Sequence, residues 1–246
     1  MYYYIGIDDT DNLESRGTGH RARQLGTSLQ DAGIARLICI TRHQLLVHKD
    51  IPYTSHNSSA CLLMDCEAAA EPELIAYCRA FLLQESAPGS DAGLCIASAQ
   101  NISPSIGNWG KNAKMIVLNR TLAHDTAQQS NIYLEGLTGE KIGVIGALAA
   151  VGLRHAGNDG RVLWLPMLRE TEGIFSALEL KKRLTLDRIC TREGDEIQDR
   201  DTIMADGWIR PVMRDAKITL IVEKPENHEK YEWQHVPKED IKSISN

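Results

Sequence analysis

The chain lacks the signatures of the commonest nucleotide and metal enzymes. Its six cysteines, Cys39, Cys61, Cys66, Cys78, Cys95 and Cys190, form no C-x-x-C pair, which excludes a zinc ribbon. The eight histidines show no H-x-x-x-H or H-E-x-x-H spacing, so a catalytic zinc is not expected. Walker P-loop, Gly-x-Ser-x-Gly elbow and Rossmann G-x-G-x-x-G are all missing, so any bound nucleotide would need a less common scaffold. No apolar run reaches the ~18 residues of a membrane helix. No basic, apolar leader opens the chain, and the scattered cysteines suit a reducing compartment, so the expected location is the cytoplasm. Positive charge is in deficit, with 27 Lys and Arg against 33 Asp and Glu and a net charge of −6. That argues against wrapping nucleic acid by bulk charge. Internal repeats and low-complexity segments are absent.

What is present begins at the first residues. Tyr2 to Ile7 is an aromatic and β-branched run that predicts a buried strand. Asp8, Asp9 and Asp11 then place three carboxylates within four residues, Asp8-Asp9-Thr10-Asp11. Gly17-Thr18-Gly19-His20 follows and opens a predicted helix running to Asp31. A carboxylate cluster between a strand end and a helix start is a device for holding Mg²⁺, a hard cation that takes oxygen ligands, beside an anion on free helix N–H groups. The plainer alternative is a turn and a cap, because Asp, Thr and Asn are common in both.

Beyond this point strand-like and helix-like patterns alternate. Strands are predicted over 35–41, 60–64 and 93–99, with a helix over 72–83 that starts at Pro72. Residues 102–110, with Pro104, Gly107 and Gly110, read as a loop, and 112–127 as a helix. A second unit is expected from Tyr133, with a small, apolar helix over 143–155, a strand over 161–165 and short strands between Ile189 and Glu223. The tail from Pro225 is polar and expected to be loosely held, unless Tyr231 and Trp233 dock. The whole is an α/β (α+β) pattern of two domains, 1–132 and 133–246. The loop Arg169-Glu170-Thr171-Glu172-Gly173 offers carboxylates to a cationic substrate, although a solvated loop is the simpler reading. Asn108-Trp109-Gly110-Lys111 and Lys114 read as a solvated helix start.

Three ordered stretches resemble one family, the archaeal agmatidine synthases, which are tRNA 2-agmatinylcytidine synthetases. They are Ile5-Gly6-Ile7-Asp8-Asp9-Thr10-Asp11, Ile51-Pro52-Tyr53-Thr54-Ser55-His56-Asn57-Ser58-Ser59-Ala60, and Gly143-Val144-Ile145-Gly146-Ala147-Leu148-Ala149-Ala150-Val151-Gly152. The resemblance implies a kinase-like α/β domain followed by a ferredoxin-like domain. It implies ATP and Mg²⁺ as cofactors: the family phosphorylates a cytidine carbonyl oxygen and lets agmatine displace the phosphate, and it also phosphorylates a threonine of its own. Carried onto this chain, Asp8, Asp9 and Asp11 bind metal or orient the attacking group, and Thr18 is the matching hydroxyl. Gly6, Thr10, Gly17, Gly19, His20, Asn57 and Ser58 are the nucleotide-binding candidates. The expected partners are a small-molecule substrate, such as a cationic amine, or RNA, and no membrane.

The chain departs from that family at two places. Where the family's threonine lies in a C-T-T-x-L-A context, the stretch here is Gly17-Thr18-Gly19-His20-Arg21-Ala22, and K-T-R-G becomes Thr54-Ser55-His56-Asn57 in part. On this reading no counterpart is expected of the family's OB-fold and zinc ribbon, which hold the tRNA. Two readings of function follow: an ATP-dependent phosphotransferase or ligase, and a non-catalytic nucleotide- or small-ligand-binding module on the same fold. A third, a tRNA-binding subunit completed by another chain, fits the negative charge least.

Overall fold

The computed structural model describes residues 1–54, 56–207, 209–226 and 230–245. Ser55, quoted in the second stretch above, lies outside them. The fold is mixed α/β, and the chain divides into two compact units, Met1–Ala156 and Gly157–Asn246.

The first unit opens β1 (Tyr2–Asp8), α1 (Thr18–Asp31), β2 (Arg36–Gln44), β3 (Ser58–Asp65), α2 (Glu71–Glu85) and β4 (Gly93–Ser98). Their order is β-α-β-β-α-β, and the strands lie side by side as β4-β1-β3-β2, all antiparallel. This is the split βαβ arrangement of ferredoxin-like folds. The resemblance places such a domain beyond Tyr133, whereas the first hundred residues build it here. A fifth strand, β5 (Tyr133–Gly136), adds antiparallel to β4. Tyr133 therefore does not start the second unit, because its strand completes the sheet of the first.

Strand periodicity decides the two faces. Tyr3, Ile5 and Ile7 of β1 are buried on the side of α1, whose Gly26 meets Leu37 and Leu62. Tyr4 and Gly6 point the other way, toward α5 (Val144–Ala156). A Cβ at Gly6 would fall on the carbonyl oxygen of Ala147, so glycine is what lets α5 lie directly on β1. Gly6 thus serves helix packing. Cys61, Cys95 and Ala97 join the alanine-rich face of α5 in one buried cluster. Arg154 of α5 is also buried there, and its Nη2 donates to the Cys39 sulfur at 3.3 Å.

Two sequence expectations change. Pro104 starts a helix, α3 (Pro104–Asn112), because a proline at the first helical position loses no hydrogen bond. Gly110 of α3 faces Leu153 and Ala149 of α5, and Trp109 donates to the Ile145 carbonyl at 3.1 Å. The long helix expected over 112–127 is divided. Residues 113–119 are irregular, and α4 (Arg120–Gln129) begins at Asn119, whose side chain accepts from the Leu122 N–H at 3.0 Å.

The second unit holds β6 (Arg161–Trp164), β7 (Gly173–Ser176), α6 (Ala177–Leu184), β8 (Arg188–Cys190), β9 (Thr202–Ala205), β10 (Val212–Arg214), β11 (Lys217–Glu223), β12 (Trp233–His235) and α7 (Lys238–Ile244). Its strands run β6-β10-β11-β12-β9-β7, with β8 parallel to β11. Ser176 and Glu179 form a reciprocal capping box at the start of α6. Among its described residues the tail docks rather than hanging loose: β12, which holds Trp233, pairs with both β11 and β9, and Tyr231 and Ile241 are buried. Arg183 donates to Thr171 Oγ1 at 2.8 Å and to the Glu170 carbonyl at 3.4 Å, so the 169–173 loop is tied to α6. No described helix is long and apolar enough to cross a membrane.

Candidate functional site

The end of β1, the start of α1, the loop after β2, the 113–118 connection and the start of α5 surround one cleft in the first unit. Counting its open mouth and the solvent in it, the cleft holds about 800 Å³ of empty space. Asp8, Asp9, Asp11 and Thr18 line its polar end, joined by Asn57 and Ser58 from the strand-β3 side. Ile51, Pro52, Tyr53, Ile116, Val117 and Ile145 make an apolar wall. Ile116 and Val117 are half exposed at the mouth.

Each acid has its own setting. Asp8 closes β1 beneath α5, and a Cβ at Gly146 would overlap its Oδ2. The missing side chain of Gly146 is therefore the space that the Asp8 carboxylate occupies. Burial, then the charges of Asp9 and Asp11, push its pKa up to about 8. Asp9 follows in the left-handed region, with φ 51°, which Asp tolerates better than most residues. Burial, then the charges of Asp91 and Asp11, raise its pKa to about 6. Asp11 is held by two threonines. Its Oδ1 accepts from the Thr18 backbone N–H at 3.1 Å and the Thr18 hydroxyl at 2.8 Å. Its Oδ2 accepts from the Thr54 hydroxyl at 3.0 Å.

Thr18 is the first helical residue of α1, after Gly17, and its hydroxyl is not the cap. Asp11 caps the helix from outside by accepting the Thr18 N–H. The buried Thr10 lies beneath, its hydroxyl donating to Thr18 Oγ1 at 3.2 Å and its N–H at 3.4 Å. Thr10 and Gly17 therefore support the site without lining it. Gly19 and His20 lie inside α1 and are not among the residues that line the cleft. Asn57 fixes the loop neck, its Nδ2 donating to the Leu46 carbonyl at 2.6 Å and its carbonyl accepting from the Leu45 N–H at 2.9 Å.

Among the described residues no three His, Cys, Asp or Glu side chains form a group that could hold a metal. The expected three-acid ligand set is thus not assembled, because Asp11 is committed to two threonines. The donors that remain still fit Mg²⁺. Asp8 and Asp9 are crowded carboxylates with no lysine or arginine among the described residues lining the cleft, and Mg²⁺ is commonly held by one or two carboxylates, with waters and phosphate oxygens completing its shell.

The wall residues of 50–54 and 113–118 are what sequence reasoning misses. Tyr53 and Thr54 stand out in the sequence only as part of a motif. The 113–118 segment carries a signal, three consecutive apolar residues Met115, Ile116 and Val117, which a helix prediction absorbs.

Against known proteins, no family model matches the chain. An uncharacterised protein of Methanocaldococcus jannaschii is 28% identical over 152 residues, 61% of this chain and 49% of that protein. Apo TiaS, a tRNA agmatidine synthetase, superposes with a TM-score of 0.53 at 20% identity, covering 62% of this chain and 35% of that one. The fold is TiaS-like. A tRNA fluorescent labelling enzyme gives 0.54 at 21% identity, covering 62% and 36%. TiaS in complex with its tRNA and ATP gives 0.53 at 20%, again covering 62% and 36%. The chain spans about half the length of the curated relative it matches and about a third of these TiaS-like chains.

Proposed function

We propose that this chain is an ATP- and Mg²⁺-dependent phosphotransferase or ligase, acting on a small molecule, such as a cationic amine, or on RNA presented by a partner. One observation carries the reading: a single cleft gathers crowded carboxylates, a carboxylate-bound hydroxyl and residues of a second, distant segment. The TiaS-like fold supports it, since TiaS has been solved with tRNA and ATP, and with tRNA, AMPCPP and agmatine. In this reading Asp8 and Asp9 hold the metal, which when bound neutralises phosphate charge. Asp11 accepts the proton of the Thr18 hydroxyl, to which it is already hydrogen-bonded. The apolar wall keeps water from the transferring group and receives the uncharged part of the ligand. Phosphoryl transfer depends mostly on such positioning and charge neutralisation.

The deciding experiment incubates the protein with Mg²⁺ and γ-labelled ATP, beside Asp8→Asn and Thr18→Ala. Label on protein or in free phosphate that disappears in Asp8→Asn supports the reading, and Thr18→Ala reports whether that hydroxyl carries the phosphate. Nucleotide bound without turnover in any condition supports the non-catalytic module instead. Absence of binding by calorimetry removes the ATP reading.

A further inference from the structure

Asp11 is gripped from two sides. Thr18, at the head of α1, uses both its N–H and its hydroxyl on Oδ1, and Thr54, from the loop between β2 and β3, donates its hydroxyl to Oδ2. The two threonines are 36 residues apart in sequence, so nothing local dictates the arrangement. A carboxylate on a free rotor samples several orientations, and a hydrogen bond to each oxygen removes that freedom. Thr54 is partly exposed and its neighbours Pro52 and Tyr53 are exposed, so a bond there is not needed to fill a core. It holds an acid that lines the cleft.

From this geometry we infer that Thr54 is the positioning residue of the site: its hydroxyl orients Asp11 so that Oδ1 faces the Thr18 hydroxyl. The inference rests on the proposed phosphotransferase reading for its consequence in catalysis, but the orientation itself stands on the hydrogen bonds. In the step concerned, the Thr18 Oγ–H proton passes to Asp11 Oδ1. The Oγ–P bond forms with the γ-phosphorus of a nucleoside triphosphate, the bond from that phosphorus to the bridging oxygen breaks, and the nucleoside diphosphate leaves with the electron pair. Thr54 takes no part in bond making; it sets the direction of the acceptor.

Two variants test this, Thr54→Val, which keeps the shape and loses the hydroxyl, and Thr54→Ser, which keeps the hydroxyl. The first readout needs no activity. The Thr18 amide resonance, identified by its loss in Thr18→Ala, reports the bond to Asp11. It should move in Thr54→Val and stay in place in Thr54→Ser. The second readout is label transfer from γ-labelled ATP: Thr54→Val should lower kcat about 10- to 100-fold with KM for the nucleotide nearly unchanged, and Thr54→Ser should restore it. An unmoved Thr18 amide in Thr54→Val overturns the inference. So does an unchanged kcat, or a loss that Thr54→Ser does not rescue. If the unmodified protein transfers no label, the phosphotransferase reading fails, and the amide resonance alone decides whether Thr54 positions Asp11.

Discussion

Asp8 ends β1 under the first turn of α5, where ionising a carboxylate is costly. Its pKa is raised from 3.8 to about 8, so the folded chain keeps a proton that the unfolded chain gives up between those values. Stability therefore falls as pH rises through this window. Asp8→Asn removes the penalty. The variant should unfold at a higher temperature than the unmodified protein at pH 8, by on the order of 1 kcal/mol or more, with no gain at pH 4. The same substitution should abolish Mg²⁺-dependent turnover, a gain of stability paired with a loss of function. Equal melting curves at pH 8 would show that Asp8 is solvated in solution. Gly146→Ala tests the other side of this contact. A methyl group there overlaps Asp8 Oδ2, so the carboxylate or α5 must shift. Nucleotide-dependent activity should drop at least about tenfold, as it does when a catalytic group is misplaced; unaltered activity would detach Asp8 from the chemistry.

At the scale of elements, α5 is positioned by absent side chains. Gly6→Ala would drive a methyl into the Ala147 carbonyl and should destabilise the protein by about 3 kcal/mol, the upper range for overpacking, as read by denaturant midpoint. Ser176→Ala, which removes the capping box of α6, should cost only about 1 kcal/mol. A larger effect of the second than of the first would invert this ranking of helix anchors. The same elements show what the sequence makes legible. β1, the 143–155 helix and the Asp8–Asp11 cluster are readable because period, composition and chemistry lie within short windows. The α3 helix is not, because Gly107 and Gly110 read locally as breakers, while Gly110 answers to Leu153, far along the chain. The resemblance offers Gly6 and His20 as nucleotide-binding candidates, yet Gly6 meets the Ala147 carbonyl and neither is among the described residues that line the cleft. Thr54 cannot be assigned from sequence at all, since its role exists only after the β2–β3 loop folds back to α1. The unit boundary is misread for a similar reason: β5 follows a polar helix but pairs with β4.

On the whole molecule, the net charge of −6 bears on partners. Alone at physiological salt the chain should bind unmodified tRNA no more tightly than about 10 μM, the range of weak non-specific association. Submicromolar binding that weakens steeply with salt would instead reveal a local basic surface able to recruit RNA directly. The crowded acids at the end of β1 also have a consequence for ion exchange. Burial and neighbouring charge push Asp8 up to about 8 and Asp9 up to about 6, so the folded pair binds protons more tightly than free carboxylates do. A divalent cation settling between them would compete with those protons and release them. In a weakly buffered solution, magnesium uptake would then be visible as acidification, and each unit of alkalinity gained would favour loading. The protein's occupancy would follow the acidity of its surroundings as closely as the concentration of the metal.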